Sequence, residues 1–497
     1  MPFYVNLPFF SVIVLLVGAV LCSVSSDKKA RIVCVCCILL TISFSVAVFV
    51  NTINTDQPIH YILGHFPAPW GNEFRIGPLE ALCATGFAVI LLLSLTGGDE
   101  YLDVNIRKEK RNRYFVLINL ICVAMIAMVY TNDLFTAYVF LEILTLASCG
   151  ILMIKEIGKT TIAATRYLIL NLLGSGLFLF GILLTYTITG HLLMENIRTA
   201  IDNLVVTGGY SFPLTVAVGV MCTGLAIKSG LFPFHLWMPD TYAYATPTSS
   251  AILSSFTSKV YIFLMIKILL RVVGTETEFV KGILGIFLIF GLFAIIIGSV
   301  SAIKQHNINR MIAFSSTAQI GYIYVALSVS GLTGVTAAIY HIFAHSVTKS
   351  LLFLSSARII EASSNKMSFH DLRGSAKRAP FASLMFTIGS LSMIGIPSLA
   401  GFASKILISQ AAANEGNILS LVILLVLAVS TAMNTVYFLR TVINIYSTTN
   451  SHDAHKKEKI NYEYILTLLG LCALNFTLGI CSQSITGAIK FGLNLFI

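Results

Sequence analysis

Apolar residues along this chain gather in long unbroken runs, without the period of two that marks half-buried strands or the one-sided stripe of a surface helix. The runs lie near 3–23, 32–51, 78–97, 114–131, 134–154, 166–188 and 212–234, and then near 249–271, 279–301, 310–330, 334–356, 382–412, 417–446 and 462–482. A hydrocarbon core takes about 20 residues of helix to cross, so each run is long enough to be a span. The pattern predicts an all-α polytopic membrane protein with about 14 transmembrane helices, numbered here in chain order. The segments from Phe381 and from Gly416 exceed a single crossing and are expected to be tilted or interrupted. The last dozen residues, around Lys490, are expected to lie along the membrane surface. The first run has no basic leader or small-residue cleavage site and reads as a retained span.

Composition narrows the class. Of 497 residues, 56% are hydrophobic and 11% charged, and the mean hydropathy is +0.86. A soluble domain carries roughly 25% charged residues, so a water-facing surface, disorder and a disulfide-rich secreted fold are all excluded. The ten cysteines fall almost wholly within apolar segments and read as small buried hydrophobes.

The net charge of +10 reports orientation and lipid contact rather than nucleic acid. Loops after odd-numbered spans hold Lys28, Lys29 and Arg31, then Arg107, Lys108, Lys110, Arg111 and Arg113, then Lys155, Lys159 and Arg166. Further on they hold Lys304 and Arg310, the group from Arg358 to Arg378, and Lys456, Lys457 and Lys459. Loops after even-numbered spans hold only Arg75, Arg198, Arg271 and Lys281. A wrong span count would scramble this alternation. The chain is therefore expected in the cell membrane with both termini on the non-cytoplasmic side.

Against this background several ionisable residues stand inside apolar runs: Glu142, Lys228, His235, Asp240, Lys259, Lys267, His341, His345, Lys349 and Lys405. Each costs about 2.5–3.5 kcal/mol at mid-membrane on insertion scales, so each needs a reason. Lys267, beside Arg271 near a span end, reads as a snorkelling residue or as one of a satisfied internal pair. The others read as a polar axis. Two stretches explain how the bundle tolerates it. One runs from Lys228 to Asp240 and is broken by Gly230, Pro233 and Pro239, and the other runs from Gly395 to Lys405 and is broken by Pro397 and Gly401. Interrupted helices at membrane depth are viable only against protein or a water-filled cavity. Interruptions at matching places in two halves point to an inverted repeat. The predicted organisation is residues 1–113 (spans 1–3), 114–272 (spans 4–8, the first five-helix repeat), 273–446 (spans 9–13, the second) and 447–497 (span 14 and tail).

His341, His345 and Lys349 recur every four residues and share one helix face. His-x-x-x-His can bind zinc, but Ile342 stands where a metalloprotease helix carries glutamate, so a relay of titratable groups is preferred and no metal is expected. No dinucleotide fingerprint or phosphate loop occurs, and no nucleotide, flavin or haem cofactor is expected. The small residues from Gly174 to Gly181 read as close helix packing.

The stretch KSGLFPFHLWMPDTYAYATPTSSAILSSFTSK, from Lys228 to Lys259, resembles the signature of the proton-translocating, antiporter-like membrane subunits of respiratory complex I and its relatives. DLFTAYVFLEILTLAS around Glu142, NRMIAFSSTAQIGY after Asn309, YHIFAHSVTKSLLFLSS from Tyr340 and GIPSLAGFASK ending at Lys405 follow in the family's order. The segment GHFPAPWGNEFRIGPLEAL looks most like the D-type subunit of Mrp cation/proton antiporters, and similar subunits occur in membrane-bound hydrogenases. The resemblance implies that Glu142 and Lys228 form a modulating pair, that Lys259 carries the axis onward, that His341, His345 and Lys349 form a relay, and that Lys405 ends it. It also implies partner membrane subunits, with protons and possible Na+ as cargo. Two departures are Gly77, where many relatives have aspartate, and Arg310, where lysine is commoner.

Three rival readings remain at this level. They are a sodium route through the same kind of complex, a polytopic metalloenzyme using His341, His345 and Asp240, and a scaffold that only holds redox partners. The chain carries no energy source of its own, so a driving reaction or gradient belongs to partners.

Overall fold

The computed structural model describes residues 3–66, 71–206, 211–274, 277–329, 331–447 and 461–496. The basic loop at Lys456, Lys457 and Lys459, and part of the Gly64–Leu82 stretch, lie outside the described residues. Twelve helices are long and apolar enough to cross a bilayer. They are spans 1–7 (Tyr4–Val24, Asp27–Thr55, Pro78–Gly97, Lys108–Tyr130, Leu134–Met153, Gly158–Thr189 and Ser211–Tyr244), 9–11 (Val280–Ile303, Ile308–Ser328 and Gly331–Glu361), 13 (Ile418–Tyr446) and 14 (Tyr462–Ile480). The other two expected spans, 8 and 12, are present as segmented helices.

Span 11 is the axle. The central window of this 31-residue helix is 100% buried. Spans 3, 10, 12 and 14 pack around it, as does span 8 at its first irregular turn. Spans 2, 6 and 13 instead show mostly exposed apolar faces, as expected beside lipid. Spans 6 and 7 cross closely because Gly174 and Gly224 let the backbones meet: a Cβ on either would fall 2.7 or 2.5 Å from the other's carbonyl oxygen. A two-stranded hairpin, β1 (Ile59–Ile62) with β2 (Glu73–Ile76), covers one end of the bundle. That end is called the hairpin face, and the opposite end, with most of the basic loops, the basic face.

Interruptions follow the expected residues, with one addition. Span 7 stops at Ser229, turns through Gly230 (φ 78°), and resumes as a short 3-10 turn, Phe234–Trp237, followed by Met238–Tyr244. Span 12 stops at Ile394, turns through Gly395 (φ 99°), and resumes as Ala400–Ala413. Gly401 lies so close to the first half that a Cβ would sit 1.8 Å from the Ser392 carbonyl oxygen. Span 13, in contrast, is one continuous helix of 29 residues. Span 8 was expected to be plain, yet it contains two π-helical turns, Leu253–Thr257 and Ile268–Val273. The C-terminal helix Ser482–Phe496 buries Ile489, Gly492, Leu493 and Phe496 and packs on spans 3 and 11, rather than lying apart from the bundle.

At the basic face Arg31 pairs with Asp99 (3.2 Å) and with Glu463, while Arg111 pairs with Asp27 (2.7 Å) and with Asp103. These bridges tie span 2 to the 3–4 linker, span 4 and span 14. Burial pushes the Asp99 carboxyl up to about 6 despite the Arg31 guanidinium beside it. A folded carboxyl that binds its proton more tightly than the unfolded one, near 3.8, contributes stability that is full below 3.8 and lost as pH rises through about 6. The loss is on the order of 1–2 kcal/mol once solvent screening is allowed for. Asp99→Asn should remove this dependence. The measurement is the thermal midpoint of the detergent-solubilised protein on both sides of pH 6, and equal pH slopes for the two proteins would contradict it.

Candidate functional site

Burying an ammonium group requires acceptors, and in an intact α-helix each carbonyl already accepts one bond and has only its second lone pair to offer. The structure supplies acceptors mainly, though not solely, where helices are interrupted or end. Lys405, half-buried on the second half of span 12, donates to the carbonyls of Met393 (3.0 Å) and Ile394 (2.8 Å), which end the first half, and to Thr431 Oγ1 (3.3 Å). Lys259 donates to the Ser254 carbonyl inside the first π turn of span 8. Lys349 reaches span 10, donating to the Ile312 carbonyl (2.7 Å) and Ser315 Oγ (2.5 Å). Lys228, wholly buried, donates to Thr145 Oγ1 on span 5 at 2.6 Å and lies over the Tyr261 ring at 5.2 Å.

Hydroxyls and rings join these positions. Thr145 Oγ1 is 3.3 Å from Tyr261 Oη on span 8. Ser346 Oγ on span 11 donates to the Ser255 carbonyl of the same π turn (2.5 Å). His341 Nδ1 is 3.0 Å from Ser404 Oγ, the residue before Lys405. The His341 and His345 rings are stacked, 6.1 Å apart and within 8° of parallel. Tyr322 stacks on His341 at 5.6 Å, and its other neighbour is Lys405 Nζ, 5.6 Å from the ring centre. Both ring nitrogens of His345 and Nε2 of His341 are buried with no protein partner. Buried polar atoms of this kind are ordinarily satisfied by ordered water.

The sequence-derived set therefore divides. Lys228, Lys259, His341, His345 and Lys349 are each buried and Lys405 is half-buried; the two histidines and Lys349 share one face of span 11, with Lys405 beside Tyr322, while Lys228 faces Thr145 and Tyr261 on spans 5 and 8. Glu142 is half-buried on span 5, one turn from Thr145, and makes no direct ion pair with Lys228. His235 is buried beside Phe232, and Pro233 with Gly230 shapes the break above Lys228. Pro239 opens the short helix that follows, Pro397 lies in the turn of span 12, and Gly401 allows the close return of its second half. Asp240 does not belong to the interior. It pairs at the bundle's edge with Arg166 (2.8 Å) and Arg310 (3.6 Å), because the broken helix of span 7 delivers it to the starts of spans 6 and 10. The metalloenzyme reading, which needs Asp240 beside His341 and His345, loses its third ligand. Lys267 is fully buried rather than snorkelling, and donates to the carbonyls of Val129 (2.8 Å) and Thr131 (2.5 Å) that end span 4.

Residues 131–431 match the transmembrane region of the NADH:quinone oxidoreductase/Mrp antiporter family. The chain belongs to that family. Among its relatives, NADH-quinone oxidoreductase subunit N of Desulforudis audaxviator is 31% identical over 401 residues, covering 80% of this chain and 77% of the relative. The putative antiporter subunit mnhD2 of Staphylococcus aureus (strain MRSA252) is 26% identical over 376 residues, covering 75% and 73%. A chain of the membrane-bound sulfane sulfur reductase, an archaeal respiratory complex, superposes with a TM-score of 0.87 at 25% identity, covering 99% of this chain and 97% of that one. A chain of the Mrp complex from Dietzia sp. has the same fold, with a TM-score of 0.87 at 21% identity, covering 100% and 98%.

Sequence reasoning missed the hydroxyl partners and a second charged centre. Glu80 on span 3 and Arg271 in the second π turn of span 8 form an ion pair with side chains 0% and 1% exposed. Glu80 also accepts from the Gly77 N–H (3.0 Å), and Arg271 Nε donates to the Phe496 carbonyl (3.0 Å) while its guanidinium lies over the Phe496 ring. On the hairpin face, His60, Glu73 and Glu195 bring donor atoms within 4.8 Å of one another and could hold a cation, though Arg75 Nε lies 3.2 Å from Glu195. Removing one partner of a buried pair costs about 3–5 kcal/mol because the other charge is left unpaired. Glu80→Ala should lose that much in chemical unfolding of the solubilised protein, and Glu80→Leu with Arg271→Met should recover most of it. A loss equal in both variants would contradict this.

Proposed function

We propose that the chain is a proton-translocating, antiporter-like subunit of a multisubunit membrane complex, and that protons move along Glu142, Lys228, Lys259, His341, His345, Lys349 and Lys405. The observation that supports the reading is that five lysine and histidine side chains on spans 7, 8 and 11 are buried inside the bundle, with Glu142 and Lys405 half-buried at the two ends of the proposed path. Hydroxyls and unpartnered imidazole nitrogens lie between them. Family membership and the named relatives support the same reading. The breaks in spans 7 and 12, each beside its lysine, support two five-helix repeats. Movement is coupled to monovalent cation antiport or to redox chemistry of partner subunits. The basic face is cytoplasmic in this reading, which places both termini on the other side of the cell membrane.

A switch at the first pair is energetically reasonable. A carboxylate about 4 Å from an ammonium stabilises it by about 4 kcal/mol at an effective dielectric of ~20. Desolvating the ammonium costs several kcal/mol, so the two effects are comparable in size. A modest approach or withdrawal of Glu142 thus decides whether Lys228 holds its proton. One charge crossing the membrane is worth about 2.3 kcal/mol per 100 mV, within reach of such a switch.

Lys228→Ala or Glu142→Ala, in the assembled complex, should abolish or strongly reduce coupled ion movement in sealed vesicles while assembly persists. Unchanged transport in both variants would remove the pair from the mechanism. Lys405→Ala should stop proton passage, read by quenching of a pH-sensitive dye at matched expression; quenching equal to wild type would exclude Lys405 as the end of the path.

A further inference from the structure

A second feature lies away from the buried interior. On the basic face, between the loop that follows span 11 and the outer side of span 13, a cavity of about 650 Å³ opens to the surface. Its polar rim carries Arg373, Arg440, His306 and His370, and no carboxylate lines it. The nearest acid in the loop, Asp371, is already paired with Lys366 at 3.6 Å. Among the described residues neither Arg373 nor Arg440 has a carboxylate partner. The site is held in shape. The Phe369 N–H donates to the His306 carbonyl (3.1 Å), the Gly374 N–H donates to the Asn444 carbonyl (3.3 Å), and the Arg440 guanidinium stands over the Phe369 ring at 5.5 Å.

Below the rim the lining turns apolar. Val436, Leu439 and Ile443 of span 13 are 55%, 37% and 65% exposed. The outward strip continues along the same helix through Val429, Leu425 and Leu421. Arg440 lies six residues from the end of the helix at Tyr446, about 9 Å along its axis, which is the depth of a headgroup layer rather than of open water. Two guanidinium groups that have no carboxylate partner among the described residues, above a long apolar strip, match one chemistry: a phosphodiester carried by acyl chains. Guanidinium binds phosphate oxygens in a two-pronged geometry, and basic pockets between spans on the cytoplasmic side suit anionic headgroups.

We propose that this cavity is a binding site for an anionic phospholipid, with the phosphodiester between Arg373 and Arg440 and the acyl chains along Val436, Val429 and Leu425 of span 13. The occupant is a lipid rather than free phosphate, because the strip beneath the rim offers nothing to an inorganic ion. A lipid is favoured over a protein segment because the apolar strip runs down a membrane-spanning helix beneath two guanidinium groups, which suits acyl chains under a headgroup.

The test compares the full chain, reconstituted in nanodiscs of phosphatidylglycerol mixed with phosphatidylcholine, with Arg373→Gln/Arg440→Gln and with the surface control Lys304→Gln/Lys377→Gln. The readout is phosphatidylglycerol retained after detergent exchange, counted by native mass spectrometry. Wild type and the lysine control should retain it, and the double arginine variant should bind it roughly 30-fold more weakly, about fivefold per arginine. Equal retention by the arginine variant would overturn the proposal, as would an equal loss in the lysine control, which would mean diffuse surface charge. Displacement by inorganic phosphate alone would overturn it in favour of a free-phosphate site. Retention by the isolated chain but not by the assembled complex purified from its own membranes would overturn it in favour of a partner's acidic surface.

Discussion

The constraint that organises the molecule is that an amine placed in an oily interior has to find lone pairs, and in a regular helix each carbonyl has already committed one of its two. Lys405, Lys259, Lys267 and Lys349 each take a backbone carbonyl, and the first three take it at a helix end or a π turn. The interruptions of spans 8 and 12 and the positions of Lys259 and Lys405 are thus one feature seen twice. Removing the breaks would strand the amines, and removing the amines would leave carbonyls unsatisfied at membrane depth.

A consequence for the family reading is that the buried groups are separated by hydroxyls and rings rather than wired directly together. Thr145, Tyr261, Ser346, Ser404 and Tyr322 occupy the intervals. Every one of them is neutral, so the interior can change its proton occupancy without first breaking a strong ion pair. The strong pair is elsewhere, at Glu80 and Arg271, where the Phe496 carbonyl of the C-terminal helix also accepts from the guanidinium. One charged centre is built for exchange, and the other for holding spans 3 and 8 together.

What could be read from the sequence follows the range of the physics involved. The membrane spans were legible because run length is local and redundant. The breaks at Gly230, Pro233 and Pro397 were legible because these residues act on their own backbone, whereas the turn at Gly395 was not singled out and Gly401, expected to break the span, lies within its second half. The π turns were not, since Leu253–Thr257 contains neither glycine nor proline. Thr145, Ser346 and Ser404 were invisible because serine and threonine in apolar helices usually bond their own preceding turn. Asp240 was misplaced inside because the course of the chain after a broken helix depends on tertiary packing. Glu80 and Arg271 are 191 positions apart, and nothing local pairs them.

The first π turn of span 8 also has a consequence for how side chains are aimed. Such a turn is one residue inserted into a helix, and at 3.6 residues per turn one residue corresponds to a rotation of about 100°. Everything beyond Thr257, Lys259 and Lys267 included, therefore faces a direction that a plain helix with the same start would not give it. Deleting a single serine there would be a smaller edit than any side-chain swap at the lysines. It would nevertheless re-aim the whole lower half of the span, turning both amines away from the carbonyls that now receive them.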